Sequence, residues 1–158
     1  MIKVVSVEAM RKIEAAADAA GISYAEMMEN AGEAVALRVI DILAQLPDPA
    51  EARVTLLIGT GNNGGDGLVA GRVIAEQSGA LVRFYLLARR SDDDSHMKAI
   101  EERGLFVAYA EDDQRFRVLT NMVASAHVVV DALFGIGLTL PLRDNAGKLL
   151  RAAKQALD

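Results

Sequence analysis

The sequence predicts an α/β fold in which two helices precede an open, mainly parallel sheet. Three observations predict it. From residue 54 onward, short β-branched runs alternate with helix-length segments. The run at 54–58 is short, continuous and rich in β-branched residues and that at 128–130 is all valine, as strands covered on both faces are. The first of them leads straight into a glycine-rich segment, at the strand end where open α/β sheets bind their ligands.

Each element follows from local signals. Ser6 caps a helix beginning at Val7, in which Met10, Ile13 and Ala17 fall at helical spacing and which Gly21 ends. Ser23 opens a second helix, with Glu26 three residues on completing a capping box, and Pro47 and Pro49 stop it near Leu46. Gly32 inside this helix costs roughly 1 kcal/mol relative to Ala. It marks either the close approach of another backbone or access for a ligand. Val54 to Ile58 is the first strand, Leu68 to Gln77 a helix and Leu81 to Leu87 the second strand. Residues 94–103 form a helix that Gly104 stops, Leu105 to Tyr109 the third strand, and 114–125 another helix. Val128 to Val130 is a fourth, buried strand, and Asn145 caps the last helix. The acidic run Asp92 to Asp94 reads as a solvated turn ending in an N-cap. His127 leads into the fourth strand, and Met27 and Met28 read as core, with one of them able to line a pocket.

Composition narrows the function. The chain has 158 residues, of which 52% are hydrophobic and 25% charged, which fits one folded domain. Its net charge of −5 and its 4% aromatic content argue against a nucleic-acid binder, which needs a basic surface or a stacking platform. The absence of Cys removes disulfides, thiolate metal sites and cysteine nucleophiles, and two His are too few for a His-rich zinc site. The amino-terminal residues carry no apolar signal core, and no run reaches the ~18 apolar residues of a membrane span. The default compartment is the cytoplasm.

Two segments carry chemistry. Residues 59–67 read Gly-Thr-Gly-Asn-Asn-Gly-Gly-Asp-Gly. A glycine turn between strand and helix presents bare N–H groups at the positive end of the helix, which receives phosphate. Residues 59–64 formally satisfy G-x-G-x-x-G, and the second strand leads into Arg89-Arg90, where dinucleotide folds place their ribose reader. An NADP-dependent oxidoreductase is therefore an alternative. Against it stand the two preceding helices and a continuation in Asn-Gly-Gly-Asp. Asp66 is either the N-cap of the following helix or a carboxylate facing the reacting part of a ligand. Asp131, at the end of the apolar fourth strand, either accepts N–H bonds from its own turn or meets a charged partner or cation. Gly135 and Gly137 make a second close-approach turn, so that two turns could close on one ligand.

Three segments taken together, Glu26 to Gly32, Gly59 to Gly67 followed by Leu-Val-Ala-Gly-Arg, and Asp131 to Pro141, resemble the YjeF N-terminal domain family, the NAD(P)H-hydrate epimerases. The resemblance covers nearly the whole chain. It implies a Rossmann-like three-layer α/β/α fold, a single domain over residues 1–158, and interconversion of the R and S epimers of NADH and NADPH hydrated at C6 (NADHX and NADPHX). It maps substrate contacts onto Asn62, Asn63, Gly64, Gly65 and Asp66, and onto Gly135, Ile136, Gly137, Leu138, Thr139, Leu140 and Pro141. It maps potassium ligands onto Asn63 and Asp131, both oxygen donors of the kind a hard cation takes. Inversion at C6 needs an acid/base group, for which Asp66 is a candidate. A homodimer and a functional link to an ADP- or ATP-dependent NAD(P)HX dehydratase, fused in many bacterial relatives, are also implied. The chain departs from the family at Leu140, where a basic or polar residue is common and for which Arg143 is a substitute. The family also continues into a strand with a D-x-P-S-G-like segment, whose Asp is a second acid/base candidate. The resemblance thus implies truncation at the C-terminal end. A non-catalytic partner-binding module of the same fold is the remaining alternative.

Overall fold

The computed structural model describes residues 4–138, 142 and 144–157. Helix α1 (Val7–Ala19) and helix α2 (Tyr24–Leu43) come first. They are followed by strand β1 (Arg53–Ile58), helix α3 (Asn62–Ser78), strand β2 (Leu81–Leu86), helix α4 (Ser95–Glu102) and strand β3 (Phe106–Tyr109). Helix α5 (Arg117–Ala124), strand β4 (Val128–Ala132) and helix α6 (Asp144–Leu157) complete the order. The four strands pair in parallel in the order β3-β2-β1-β4. The chain moves outward from β1 through β2 to β3, then returns to the other side of β1. This reversal puts a switch point between β1 and β4, where the two carboxyl ends part and leave a crevice.

Alternation along the strands divides the core into two. Val54, Leu56, Ile58, Val82, Phe84 and Leu86 meet α2, α3 and α4 on one face. Leu57 and Tyr85 meet α5 and α6 on the other. The sequence-predicted three-layer α/β/α arrangement is the observed one. Ser6 and Ser23 cap α1 and α2 as expected, each accepting from the N–H three residues on at 3.2 Å. Asp94 caps α4, accepting from His96 and Met97 N–H at 3.0 and 3.1 Å. His127 precedes β4, and its Nδ1 accepts from Arg53 N–H at 3.0 Å.

Six expectations are corrected. The apolar stripe of α1 is not buried: Ile13 is exposed, and Met10, Glu14 and Ala17 form the half-covered side. Helix α2 ends at Leu43, three residues early, because the Gln45 and Leu46 N–H groups tighten into bonds to the carbonyls three residues back, Ile42 and Leu43, before the prolines. Helix α3 starts at Asn62, six residues before Leu68, so most of the glycine segment is helix. Left-handed Arg115 and Phe116 split the predicted 114–125 helix into a 3-10 turn and α5. The valines of β4 are half-buried, because β4 pairs only with β1 among the described strands. Asn145 lies inside α6, which begins at Asp144.

The early start of α3 runs against propensity, since glycine costs a helix about 1 kcal/mol per residue. Close packing overrides it. A Cβ at Gly67 would stand 2.6 Å from Ala132 Cβ and 2.8 Å from Ile58 Cδ1, inside the space of β1 and β4. On the outer side, a Cβ at Gly65 would stand 2.5 Å from Met28 Sδ. Gly32 of α2 faces α3 directly, and its Cβ would meet Val69 Cβ at 2.5 Å and Asp66 O at 2.7 Å. Gly32 is thus a backbone-approach glycine. The Glu26–Gly32 segment works as a packing motif, with Met28 and Gly32 against α3 and Glu29 paired to Arg72 at 2.7 Å.

Gly32→Ala should therefore destabilise the protein by about 1–3 kcal/mol through overpacking, although Ala is the better helix former. Urea denaturation reads this as a lower midpoint at unchanged slope. An unchanged or higher midpoint would mean that α2 and α3 separate freely.

Candidate functional site

The crevice at the carboxyl ends of β1 and β4 holds a cavity of about 750 Å³. Its floor is the turn from β1 into α3, its far wall the 133–138 turn after β4, and its near wall the half-covered side of α1. Gly61 is the N-cap of α3 in extended conformation, with no side chain bonded to the first turn. The opening N–H groups of α3 thus remain as donors at the positive end of the helix dipole, the arrangement that receives an anion.

Absence of side chains shapes this turn. A Cβ at Gly59 would fall on the Leu133 carbonyl oxygen, and one at Gly64 on the Gly59 carbonyl oxygen. The carbonyls are held from outside. Arg90 donates to Gly59 O at 2.7 Å and Gly61 O at 3.2 Å, and its Nε to Asp94 at 2.6 Å. The Arg90 and Asp94 side chains are only 11% and 12% exposed. The guanidinium and the N–H groups of α4 hold the Asp94 carboxyl below the ordinary aspartate range, against the effect of its own burial.

Arg90 is therefore a clasp on the glycine turn. Arg89 is also engaged: it pairs with Glu111, bonds Asp112 at 2.9 Å and lies over the Tyr109 ring. Both arginines are engaged within the protein, which weakens the part of the oxidoreductase alternative that took them as readers of a 2′-phosphate.

Asn62, Asn63, Asp66, Gly135, Ile136, Gly137 and Leu138 all line the cavity. Gly64 and Gly65 do not; they are buried beneath it, against Gly59 and Met28. Thr139, Leu140, Pro141 and Arg143 lie outside the described residues. Asn63 Nδ2 donates to Phe134 O at 3.1 Å, fastening the two turns to each other. Asp131 is exposed instead of buried, and its Oδ1 accepts from Leu133 N–H at 3.0 Å. The own-turn reading of Asp131 is the observed one.

The N-cap reading of Asp66 is overturned. Asp66 is the fifth residue of α3, half-buried, and its carboxylate makes no hydrogen bond among the described residues. Burial raises its pKa, Glu14 across the cavity raises it further, and His96 opposes them. Sequence reasoning missed the part played by α1, whose Met10, Arg11 and Glu14 line the cavity. The signal was present in their i, i+1 and i+4 spacing, but the apolar stripe through Ile13 masked it.

Fold and site together define an open α/β domain with a crevice at its switch point, bordered by a glycine-shaped helix N-terminus. Residues 24–157 match the family described as YjeF-related protein N-terminus, and the chain belongs to that family. It is 35% identical over 150 residues to the NAD(P)H-hydrate epimerase of Rhodobacter capsulatus, covering 90% of this chain and 66% of that one. It is 36% identical over 140 residues to the bifunctional NAD(P)H-hydrate repair enzyme Nnr of Thermofilum pendens, covering 87% of this chain and 26% of that one. The chain thus spans just under two thirds of the stand-alone relative and about a quarter of the bifunctional one. The crystal structure of yeast ynu0, YNL200c, superimposes with a TM-score of 0.84 over 98% of this chain and 66% of that one, at 22% identity, and confirms the fold. No described helix is long and apolar enough to cross a membrane.

The raised pKa of Asp66 has a consequence for stability. A carboxyl whose pKa is higher folded than unfolded binds more protons in the folded state between the two values, so stability falls as pH rises through that window. Asp66→Asn should melt higher than the parent near neutral pH, and the difference should vanish in acid, where the parent carboxyl is protonated. A pH-independent difference in Tm would contradict the assignment.

Proposed function

We propose that the protein is an NAD(P)H-hydrate epimerase that interconverts the R and S epimers of NADHX and NADPHX. The observation that carries this reading is the unpartnered Asp66 carboxyl, of raised pKa, in a cavity whose floor is an uncapped helix N-terminus. Family membership and relatives named NAD(P)H-hydrate epimerase at 31–35% identity support it. The N–H groups of α3 bind the pyrophosphate, and the nicotinamide end lies between Asp66 and the 135–138 turn. Protonated Asp66 gives its proton to the C6 hydroxyl, which leaves as water as the ring nitrogen lone pair closes a C=N bond. C6 becomes planar. Water adds to the other face and returns a proton to the Asp66 carboxylate. Electrons and protons balance, and nothing is oxidised or reduced. Burial and Glu14 raise the pKa of this carboxyl, which favours its acid form and suits it to give and take the proton. A dehydratase acting on one epimer is the functional partner, joined covalently in proteins such as the bifunctional relatives, and a homodimer is the proposed assembly.

The test is epimer interconversion, followed by NMR on a mixture of NADHX epimers. Asp66→Asn should lower the catalysed rate by about 100-fold or more, with binding retained. Glu14→Gln, which removes the neighbouring charge, should shift the pH profile to lower pH. An unaltered rate in Asp66→Asn would remove Asp66 from the chemistry.

Potassium is part of the same proposal. Asn63 commits its amide nitrogen to Phe134 O and keeps Oδ1 as an acceptor. Asp131 commits one oxygen to Leu133 N–H, and the other has no donor among the described residues. The two side chains thus brace one turn and leave oxygen ligands of the hard kind that potassium takes. Bound there, the ion would supply positive charge beneath the turns that close on the pyrophosphate. Asp131→Asn should reduce the rise in Tm that potassium gives over tetramethylammonium. An equal rise in parent and variant would dismiss these ligands.

A further inference from the structure

A second cavity, of about 680 Å³, lies on the α5 side of the sheet over β2 and β3 and shares no residue with the first. Arg83 of β2 reaches into it. Its guanidinium donates to Thr55 Oγ1 at 3.0 Å, Met122 O at 2.8 Å and Ser125 Oγ at 3.1 Å, all neutral acceptors. Its Nε is buried and donates to nothing. No carboxylate lies within ion-pair distance of it among the described residues. Burial and the like charge of Arg53 both pull its pKa below the ordinary guanidinium value. Arg83 is half-buried, and a guanidinium partly withdrawn from water without a counter-charge among the described residues favours an anion beside it.

The rest of the cavity supplies what a counter-ion's body would need. Phe106, 51% exposed on the edge strand, and Val118, 39% exposed, offer apolar walls, and Arg117 is a second cation on the lining. The acidic residues present are already engaged. Asp112 is bonded to Arg89. Asp113 accepts from Tyr85 OH and from the N–H groups of Val118 and Leu119, at 3.0, 3.0 and 2.9 Å. Those N–H bonds hold the start of α5 over the cavity. The two residues before α5, Arg115 and Phe116, have φ of 58° and 56°, a conformation that costs side-chain-bearing residues of order 1 kcal/mol or more each.

We propose that this cavity is a second binding site, separate from the crevice at β1 and β4, for an aromatic carboxylate. Arg83 and Arg117 attract its single negative charge, and Phe106 and Val118 take its ring. Asp113 on the same wall disfavours a dianion, which selects a carboxylate over a phosphate monoester.

The test uses 2-naphthoate, its neutral analogue naphthalene-2-carboxamide and naphthyl phosphate, with backbone-amide NMR and calorimetry on the full chain. The acid should bind saturably, with shifts confined to Arg83, Phe106 and residues 113–122. The amide should bind about tenfold more weakly, the loss of one charge-assisted hydrogen bond. The phosphate ester should also be weaker than the acid. Arg83→Met should equalise acid and amide, and Arg83→Lys should restore part of the preference. Should Arg83→Met fail to fold, Arg117→Gln on the exposed lining should still weaken the acid several-fold and leave the amide unchanged. Equal affinity of parent protein for acid and amide, shifts at Gly59–Asp66 in place of the second cavity, or no saturable binding would each overturn the proposal.

Discussion

The approach of α3 to its neighbours is the constraint on which the rest of the structure depends. The helix lies so close to β1 and β4 on one side and to α2 on the other that Gly59, Gly64, Gly65, Gly67 and Gly32 each occupy space a Cβ would contest. The energetic opposition is clear: several glycines disfavour helix by about 1 kcal/mol each. Burial of Leu68, Val69, Ala70, Val73 and Ile74 against the sheet and α2 opposes it, at roughly 1.5–3 kcal/mol for each large side chain. Packing wins, and the helix begins at Asn62. A larger residue anywhere in the set would lift the helix start and move the cavity floor with it.

Close approach alone does not set the direction of the peptide groups. That is done by Arg90 and Asp94. The guanidinium takes the carbonyls of Gly59 and Gly61, which fixes the two peptide planes that lead into α3. Asp94 holds the guanidinium and caps α4 with its other oxygen. A surface pair of this kind is worth little. This one is nearly buried and hydrogen-bonded at both ends, so losing either partner would strand a charge. Its worth lies in fixing the glycine turn.

Much of this was legible in the sequence, for physical reasons that can be named. Strand and helix alternation, the Ser6, Ser23 and Asp94 caps, and the crevice beyond β1 follow from local patterns that tertiary structure did not override. The start of α3 was illegible because propensity pointed away from helix and only packing reversed it. Of the two readings of Asp66, the cap falls with the earlier helix start, because Gly61 holds that position. Arg90 looked like a ligand reader because its spacing after the second strand is the same for a phosphate contact and for a carbonyl clasp. Asp131 follows an apolar run, but β4 is an edge strand among those described and its end lies in solvent. The wall from α1 was hidden because Ile13 suggested the wrong buried face.

The position of Asp66 decides what kind of carboxyl it can be. At the first turn of α3 the helix dipole would favour the ionised form and hold its pKa down. At the fifth residue that influence has faded, while the side chain is half-buried. Burial therefore prevails, and Glu14 adds to it from α1, the least embedded helix, with no fully buried residue. The protonation of Asp66 is accordingly tied to the seating of α1. With α1 in place the cavity has its near wall and the carboxyl its proton at higher pH. With α1 displaced, water and the loss of Glu14 would return Asp66 toward an ordinary aspartate. Enclosure and acidity thus rise and fall together, because one weakly held helix contributes to both.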